Sequence, residues 1–230
     1  MKKLNVVITS GGTREYIDSV RVLSNISSGR LGATIANEFL KHGHEVTYVS
    51  SDNVVMPAAY FTGKYSYTKT KNTQSVLDIM RVMVPKADVV VQAMAVSDFT
   101  FDLEKAVKVS GDDCEAFIEH MRSTIKKTPK IISEFRSWNP EAIVVGFKFT
   151  VGKSKDELIE IALELMKTNR LNMVLANDKT QMQKAGEHTA VLITDVKGVD
   201  MPWEENLRSK EDIASKIYEN VVYLEGRKNK

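Results

Sequence analysis

A chain of 230 residues, 43% hydrophobic and 27% charged, is long enough to bury a substantial core and reads as one domain over 1–230. The formal charge is only +2, from 32 basic and 30 acidic residues, so no overall basic excess points to nucleic acid or an anionic membrane. The apolar run after Lys2 and Lys3 breaks at Ser10 and Gly11, no stretch approaches the roughly twenty apolar residues of a membrane span, and a lone cysteine, Cys114, forms no internal disulfide, so a cytoplasmic location is expected.

Leu4 to Thr9 is apolar or β-branched at nearly every position, which predicts a strand buried on both faces of a parallel sheet. Leu31, Ile35, Ala36, Phe39 and Leu40 then recur at helical spacing, with Gly43 as a stop and Glu45 to Val49 as the second strand. A strand around Tyr65 to Lys69 precedes a helix capped by Asn72 or Thr73 and lined by Val76, Ile79, Met80 and Met83. Ala87 to Gln92 is a third buried strand, leading into AMAVSDF at 93–99.

From Thr100 to Lys130 the periodicity weakens, which predicts a flap or small lobe at about 100–130 with a short helix from Cys114 to Met121. Pro129 opens a helix to Trp138, Ala142 to Phe149 is a strand, and Lys155 to Thr168 is an amphipathic helix with Leu158, Ile161, Ala162 and Leu165 inward. Leu171 to Leu175 is a strand ending in Ala176-Asn177-Asp178. Thr189 to Asp195 starts an edge hairpin, and Lys210 to Leu224 is a closing helix with a frayed tail behind it. The alternation predicts an α/β, Rossmann-like, mostly parallel and doubly wound sheet with the flap or lobe over its carboxyl edge.

The connection from Thr9 to Gly32 does not fit a plain scaffold. About two to six residues join strand to helix in such units, so its length predicts a binding loop. Gly11 and Gly12 permit close backbone approach, while Ser27, Ser28 and Gly29 offer hydroxyls and amides at a helix N-terminus whose partial positive charge favours an anion such as phosphate. Arg14 and Arg21 can fork onto a carboxylate or phosphate, Asp18 can orient one of them, and Asn25 can pair with a neutral carbonyl. The alternative is a solvated loop closed by its own salt bridges. Neither G-x-G-x-x-G nor the Walker spacing is present.

Asp98, just past the third buried strand, is placed to hold a magnesium–triphosphate or a substrate hydroxyl, the alternative being a helix N-cap. Lys105 and Lys108 follow in the flap, where a lysine can fold over a reacting phosphate or remain a solvated surface charge. The four histidines show no metal spacing.

GGTREYIDSVRVLSNISSGRLG, residues 11–32, resembles the pattern of phosphopantothenoylcysteine synthetase, the ligase of coenzyme A biosynthesis, in its monofunctional bacterial form. Gly12 stands where that family most often has proline, and Leu23 and Leu31 replace other apolar residues. Ala95, Val96 and Asp98 match the family's A-A-V-A-D-[YF], with Met94 and Ser97 in place of alanines. Thr128-Pro129-Lys130-Ile131 is similar to its N-P-D-I element, Gly146-Phe147 to its V-G-F, and Ala176-Asn177-Asp178 to its A-N-D.

The resemblance implies a ligase that joins 4'-phosphopantothenate to L-cysteine through an acyl-nucleotide, with release of pyrophosphate. It implies catalytic roles for Asn25, Arg21 and a flap lysine, for which Lys108 has better spacing than Lys105. It implies nucleotide contacts at Gly11, Gly12, Ser27, Ser28, Gly29, Gly32, Asp98, Phe147 and Asn177, and substrate contacts at Arg21, Asn25, Met94, Ala95 and Asp98. It further implies Mg2+, held in part by Asp98, and a homodimer in which Arg21 reaches the neighbour's substrate. A separate decarboxylase is the expected pathway partner, with no nucleic acid and no membrane. CTP is favoured over ATP, although Lys167, Asn169 and Arg170 stand where CTP-using members carry K-x-x-x-K-N. The runner-up is an NAD(P)-dependent oxidoreductase on the same kind of sheet.

Overall fold

The computed structural model describes residues 2–58, 61–102, 112–195 and 202–228. The chain opens with β1 (Asn5–Ser10), a short hairpin of β2 (Arg14–Tyr16) and β3 (Val22–Ser24), then α1 (Arg30–Lys41), β4 (Glu45–Ser50), β5 (Lys64–Lys69), α2 (Thr73–Met83) and β6 (Val89–Gln92). A small lobe follows from β7 (Phe99–Phe101), α3 (Cys114–Thr124) and β8 (Ile125–Lys127). The second half runs α4 (Ile131–Trp138), β9 (Ile143–Thr150), α5 (Lys155–Asn169), β10 (Met173–Asp178), α6 (Lys179–Ala185), β11 (Ala190–Thr194), β12 (Trp203–Leu207) and α7 (Lys210–Lys228).

Eight strands form one sheet in the order β12-β11-β10-β9-β6-β1-β4-β5. From β5 to β10 all pairs are parallel, and β11 and β12 add an antiparallel edge. The strand order reverses between β1 and β6, and a doubly wound sheet opens a crevice outside the carboxyl ends of its strands at such a point. Side chains of alternating strand residues build two cores. Ile8, Val91, Val145 and Leu175 pack with Ile35 and Phe39 of α1 and Ile217 of α7, while Val90, Val144 and Val174 pack with Met80 of α2, Phe135 of α4 and Leu158 of α5. The sheet is therefore covered on both faces, as continuous apolar strands require.

Several elements depart from the sequence reading. The loop after β1 is not irregular throughout: β2 and β3 pair, and Asp18 ties their turn. The helix α6 escapes periodicity because it has seven residues and buries none of them. The final helix does not fray at Leu224 but continues to Lys228, where Glu225 pairs with Lys2 at 3.1 Å and with Lys228 at 2.9 Å. Lys2 also reaches Asp88 at 2.8 Å, so the two ends of the chain meet at the amino edge of the sheet. The helix expected to open at Pro129 begins at Ile131, and the lobe helix extends to Thr124 instead of Met121.

Candidate active site

The segments behind β1 and β6 continue their pairing past the sheet. Gly12 bridges Ala95 in parallel fashion, the Ala95 N–H donates to the Gly11 carbonyl at 2.8 Å, and the Thr13 N–H donates to the Ala95 carbonyl at 3.2 Å. The Ile8–Val91–Val145–Met173 row of the sheet, carried four residues further, reaches Gly12, Ala95, Phe149 and Asn177, of which Gly12–Ala95 and Phe149–Asn177 are paired. The glycine loop, the AMAVSDF segment and Asn177 thus share one level at the carboxyl edge. Asn177 lies three strands from Gly12, about 14 Å at roughly 4.8 Å per strand, a span suited to an extended ligand lying along the edge.

One wall is the start of α1. Ser10 Oγ donates to the Gly29 carbonyl at 3.0 Å, and Tyr48 Oη donates to Gly29 and Val55 carbonyls at 3.4 and 3.0 Å. Burial first, against a partly offsetting hydrogen bond with Ser10, pushes the Tyr48 phenol up to about 12, so it remains a donor at any physiological pH. Gly29 caps the helix at φ +71°, a left-handed conformation that glycine adopts without strain. Gly32 touches Ser10 so closely that a Cβ would stand 2.3 Å from its Oγ and 2.7 Å from its Cβ. First-turn amides that a helix cannot satisfy internally therefore begin against the tip of β1, with Ser27 half-buried and Ser28 exposed before them. Leu31, Ala93 and Phe147 each pack, partly buried, against the core that includes α1 and α7, which puts the Phe147 ring on that face of the sheet. Asn177 follows on that face by alternation from Leu175, half-buried, with its Nδ2 3.2 Å from Met182 Sδ.

The opposite wall is AMAVSDF. Met94 is buried, Ala95 is half-buried, and Asp98 lies open with its carboxylate 3.7 Å from Lys130 Nζ, both about 70% exposed. An ion pair this exposed is screened and weak, which leaves the carboxylate available to a ligand. The N-cap alternative for Asp98 does not apply, because a strand, β7, starts at Phe99. Thr128 knits its own segment to this wall, donating from N to the Asp98 carbonyl at 3.0 Å and from Oγ1 to the Ser97 carbonyl at 2.6 Å.

The hairpin carries the predicted polar residues. Asn25 is exposed, and its Nδ2 donates to the Val96 carbonyl at 3.4 Å, bringing it onto the AMAVSDF wall. Arg21 donates to Asp18 Oδ2 at 2.8 Å, and its guanidinium lies 4.8 Å above the Phe117 ring of the lobe. Asp18, fully buried, takes the Val20 and Arg21 N–H groups on Oδ1 at 2.9 and 2.7 Å. These backbone donors, opposed by burial and aided by the Arg21 charge, hold its carboxyl below the usual range. Asp18 thus pairs with Arg21, a contact that both the orienting role and a loop closed by its own salt bridges call for. Lys105 and Lys108 lie outside the described residues.

Sequence reasoning passed over two buried carboxylates. Asp178, the last residue of the A-N-D element, ties β9, α5 and α6 together, accepting from Thr150 Oγ1 and Lys153 N on one oxygen and from Thr180 N and Gln181 N on the other. Burial alone would raise its pKa, but these four donors outweigh it and bring it down to about 2. Glu15 is equally hidden, on the inward face of β2 against α2. The available signal was the Thr13–Glu15 spacing, which strand alternation points to one side.

As to metal, Asp98 offers one open carboxylate, and among the described residues no group of three or more His, Cys, Asp or Glu forms a metal cage. One carboxylate beside phosphate oxygens and waters is the donor set on which magnesium ordinarily sits, so the residues fit a cation that arrives with a nucleotide.

Residues 1–224 match the sequence model of the DNA/pantothenate metabolism flavoprotein C-terminal domain. The coenzyme A biosynthesis bifunctional protein CoaBC of Methanocaldococcus jannaschii is 30% identical over 219 residues, covering 95% of this chain and 50% of that protein. The chain thus spans about half the length of the curated relatives it matches. A crystal structure of the DNA/pantothenate metabolism flavoprotein from Streptococcus pneumoniae superposes with a TM-score of 0.78 at 30% identity, covering 96% of this chain and 99% of that one. A Cab2 variant in complex with phosphopantothenate-cysteine superposes at 0.74 over 99% of this chain and 89% of that one, with 15% identity, a likeness of fold alone.

Proposed function

The chain belongs to the family of the DNA/pantothenate metabolism flavoprotein C-terminal domain, and from that membership we propose that it is a phosphopantothenate–cysteine ligase. The observation that carries the reading is the closure of the Gly11–Asn25 loop onto Met94–Asp98 at the point where the strand order reverses. The crevice so formed presents backbone amides, an amide side chain and cations to an anionic acid and a triphosphate.

In the proposed reaction the substrate carboxylate forms a bond to the α-phosphorus of the triphosphate as pyrophosphate leaves. The cysteine amine then forms the amide as the nucleoside monophosphate leaves, and its proton passes to solvent. The residues act by orientation and charge. Amides at the head of α1 and around Gly11 and Gly12 receive phosphate, Phe147 and Asn177 receive the nucleoside, and Asn25 donates to the acyl carbonyl. Asp98 would hold Mg2+, which supplies neutralisation of phosphate charge when bound. Lys108 covers the departing pyrophosphate.

Exposed Val20, Val22, Leu23 and Ile26 around the hairpin support a homodimer in which Arg21 serves the neighbouring crevice. A cytoplasmic location and a decarboxylase acting next in the pathway belong to the same proposal. Among the described residues no helix is long and apolar enough to cross a membrane.

The test is pyrophosphate release with CTP and with ATP in parallel, each with phosphopantothenate and cysteine supplied singly and together. Continued release over many turnovers that needs both acids supports the ligase, and faster release with CTP supports the cytidylate. Absence of release with either triphosphate, together with a nicotinamide absorbance change on added substrate, would replace the ligase with the oxidoreductase.

A further inference from the structure

The reaction proposed above makes no use of Glu15, yet the fold buries this carboxylate to 1% exposure. A buried carboxylate costs free energy unless hydrogen bonds hold it. Here Thr73, the first residue of α2, provides them: its backbone N–H lies 2.8 Å and its hydroxyl 2.7 Å from Glu15 Oε1. Asn72 and Ser75 form a reciprocal capping box that serves each other's amides, and Glu15 takes the Thr73 amide that the box leaves over. Through the Thr73 side chain the carboxylate also approaches one more residue.

That residue is Thr13. Thr73 has a single hydroxyl proton and a carboxylate only accepts, so the short 2.7 Å bond to Glu15 takes the larger share of it. The same Thr73 hydroxyl points more weakly at Thr13 Oγ1, 3.4 Å away, and Thr13 Oγ1 accepts the Ser97 N–H at 2.9 Å. Thr13, Thr73 and Ser97 are 0%, 1% and 6% exposed, so water does not compete for these bonds. We infer that Glu15 and Thr13 are positioning residues: the carboxylate anchors the Thr73 hydroxyl beside Thr13, and the Thr13 oxygen fixes the Ser97 amide, and with it the Ala95–Asp98 wall, against the glycine loop. The inference rests on the ligase reading for its kinetic consequence, and on geometry alone for its structural one.

The experiment compares Thr13→Val, which removes the hydroxyl at nearly constant volume, Thr13→Ser, which restores it, and Glu15→Gln, which can offer Thr73 a donor in place of the acceptor. Amide hydrogen exchange over 94–98 should quicken roughly tenfold in Thr13→Val and Glu15→Gln, the loss of about one hydrogen bond's worth of protection, and return close to wild type in Thr13→Ser. Exchange in β9 and β10 should stay unchanged. In turnover assays KM for phosphopantothenate should rise about tenfold in Thr13→Val while KM for the triphosphate moves less, with Thr13→Ser restoring it. Unchanged protection over 94–98 in Thr13→Val, or protection lost evenly across the whole sheet, overturns the inference. Should wild type itself release no pyrophosphate, the ligase reading fails, and the exchange comparison still decides the positioning role. If Glu15→Gln does not fold, the two Thr13 variants decide it.

Discussion

Asn25 Nδ2 sits 3.4 Å from the carbonyl oxygen of Val96, so a side chain of the β2–β3 hairpin touches the backbone of the segment behind β6. That contact holds the amide where a carbonyl-bearing ligand between the two walls would meet it. Asn25→Asp replaces the donor with a negative charge facing the same carbonyl. We expect turnover to fall by about 100-fold or more, in the range seen when a donor to a developing oxyanion is lost. Asn25 is exposed, so melting temperature should hold. Wild-type turnover in pyrophosphate release would remove Asn25 from the chemistry.

Gly12→Pro installs the residue that the resembling family carries at this position. In this chain a Cβ on Gly12 would lie 2.6 Å from the Asn25 carbonyl oxygen, a backbone atom that moves only with the whole hairpin. The substitution is expected to lower activity at least tenfold through displacement of Asn25, with a stability cost of about 1–3 kcal/mol from overpacking. Denaturant melts and steady-state kinetics on the same preparation check both parts.

Gly32→Ala tests the seat of α1. The added methyl meets Ser10 Oγ and Cβ on a strand fixed on both sides, so the helix start has to retreat. We expect the Kd for the triphosphate to weaken about tenfold, the loss of roughly one good phosphate contact. Titration calorimetry with nucleotide alone reads this without turnover.

Acid stability should report on Asp178. Its folded pKa, about 2, lies below the ordinary 3.8, so the stabilisation it brings is present above pH 3.8 and is lost as pH falls toward 2. Asp178→Asn should lower the melting temperature at neutral pH and flatten its decline between pH 4 and 2. Parallel Tm–pH curves for the two proteins would contradict the assignment.

Lys108→Gln should slow acyl-nucleotide formation about tenfold or more in single-turnover measurements, while Lys105→Gln leaves it near wild type. The reverse pattern would exchange the roles of the two lysines, and no effect from either would dismiss the flap.

The sheet was legible because its strands, such as Val89–Gln92 and Ile143–Val145, are apolar on both faces, and the helices α2 and α5 announce themselves by cap and stripe together. The β2–β3 hairpin was not. Three-residue strands carry too little alternation to be seen, and β3 buries none of its residues. Arg21, Asn25 and the glycines stood out because they fill a connection far longer than the fold requires, while their partners, Asp18, Val96 and Ser10, became visible only in the structure. Glu15 and Asp178 hid in the same stretches because a buried carboxylate looks, in sequence, like any solvated one. Its partners, Thr73 for Glu15 and Thr150 for Asp178, are 58 and 28 residues away.

Lys2 bonds Asp88 and Glu225, and the last described helical turn folds back beside them. Start and finish therefore emerge together from the floor of the molecule, while the crevice opens at its roof. An affinity handle or immobilising linker attached beside Lys2 or Lys228 would stand at the opposite edge of the sheet from the crevice.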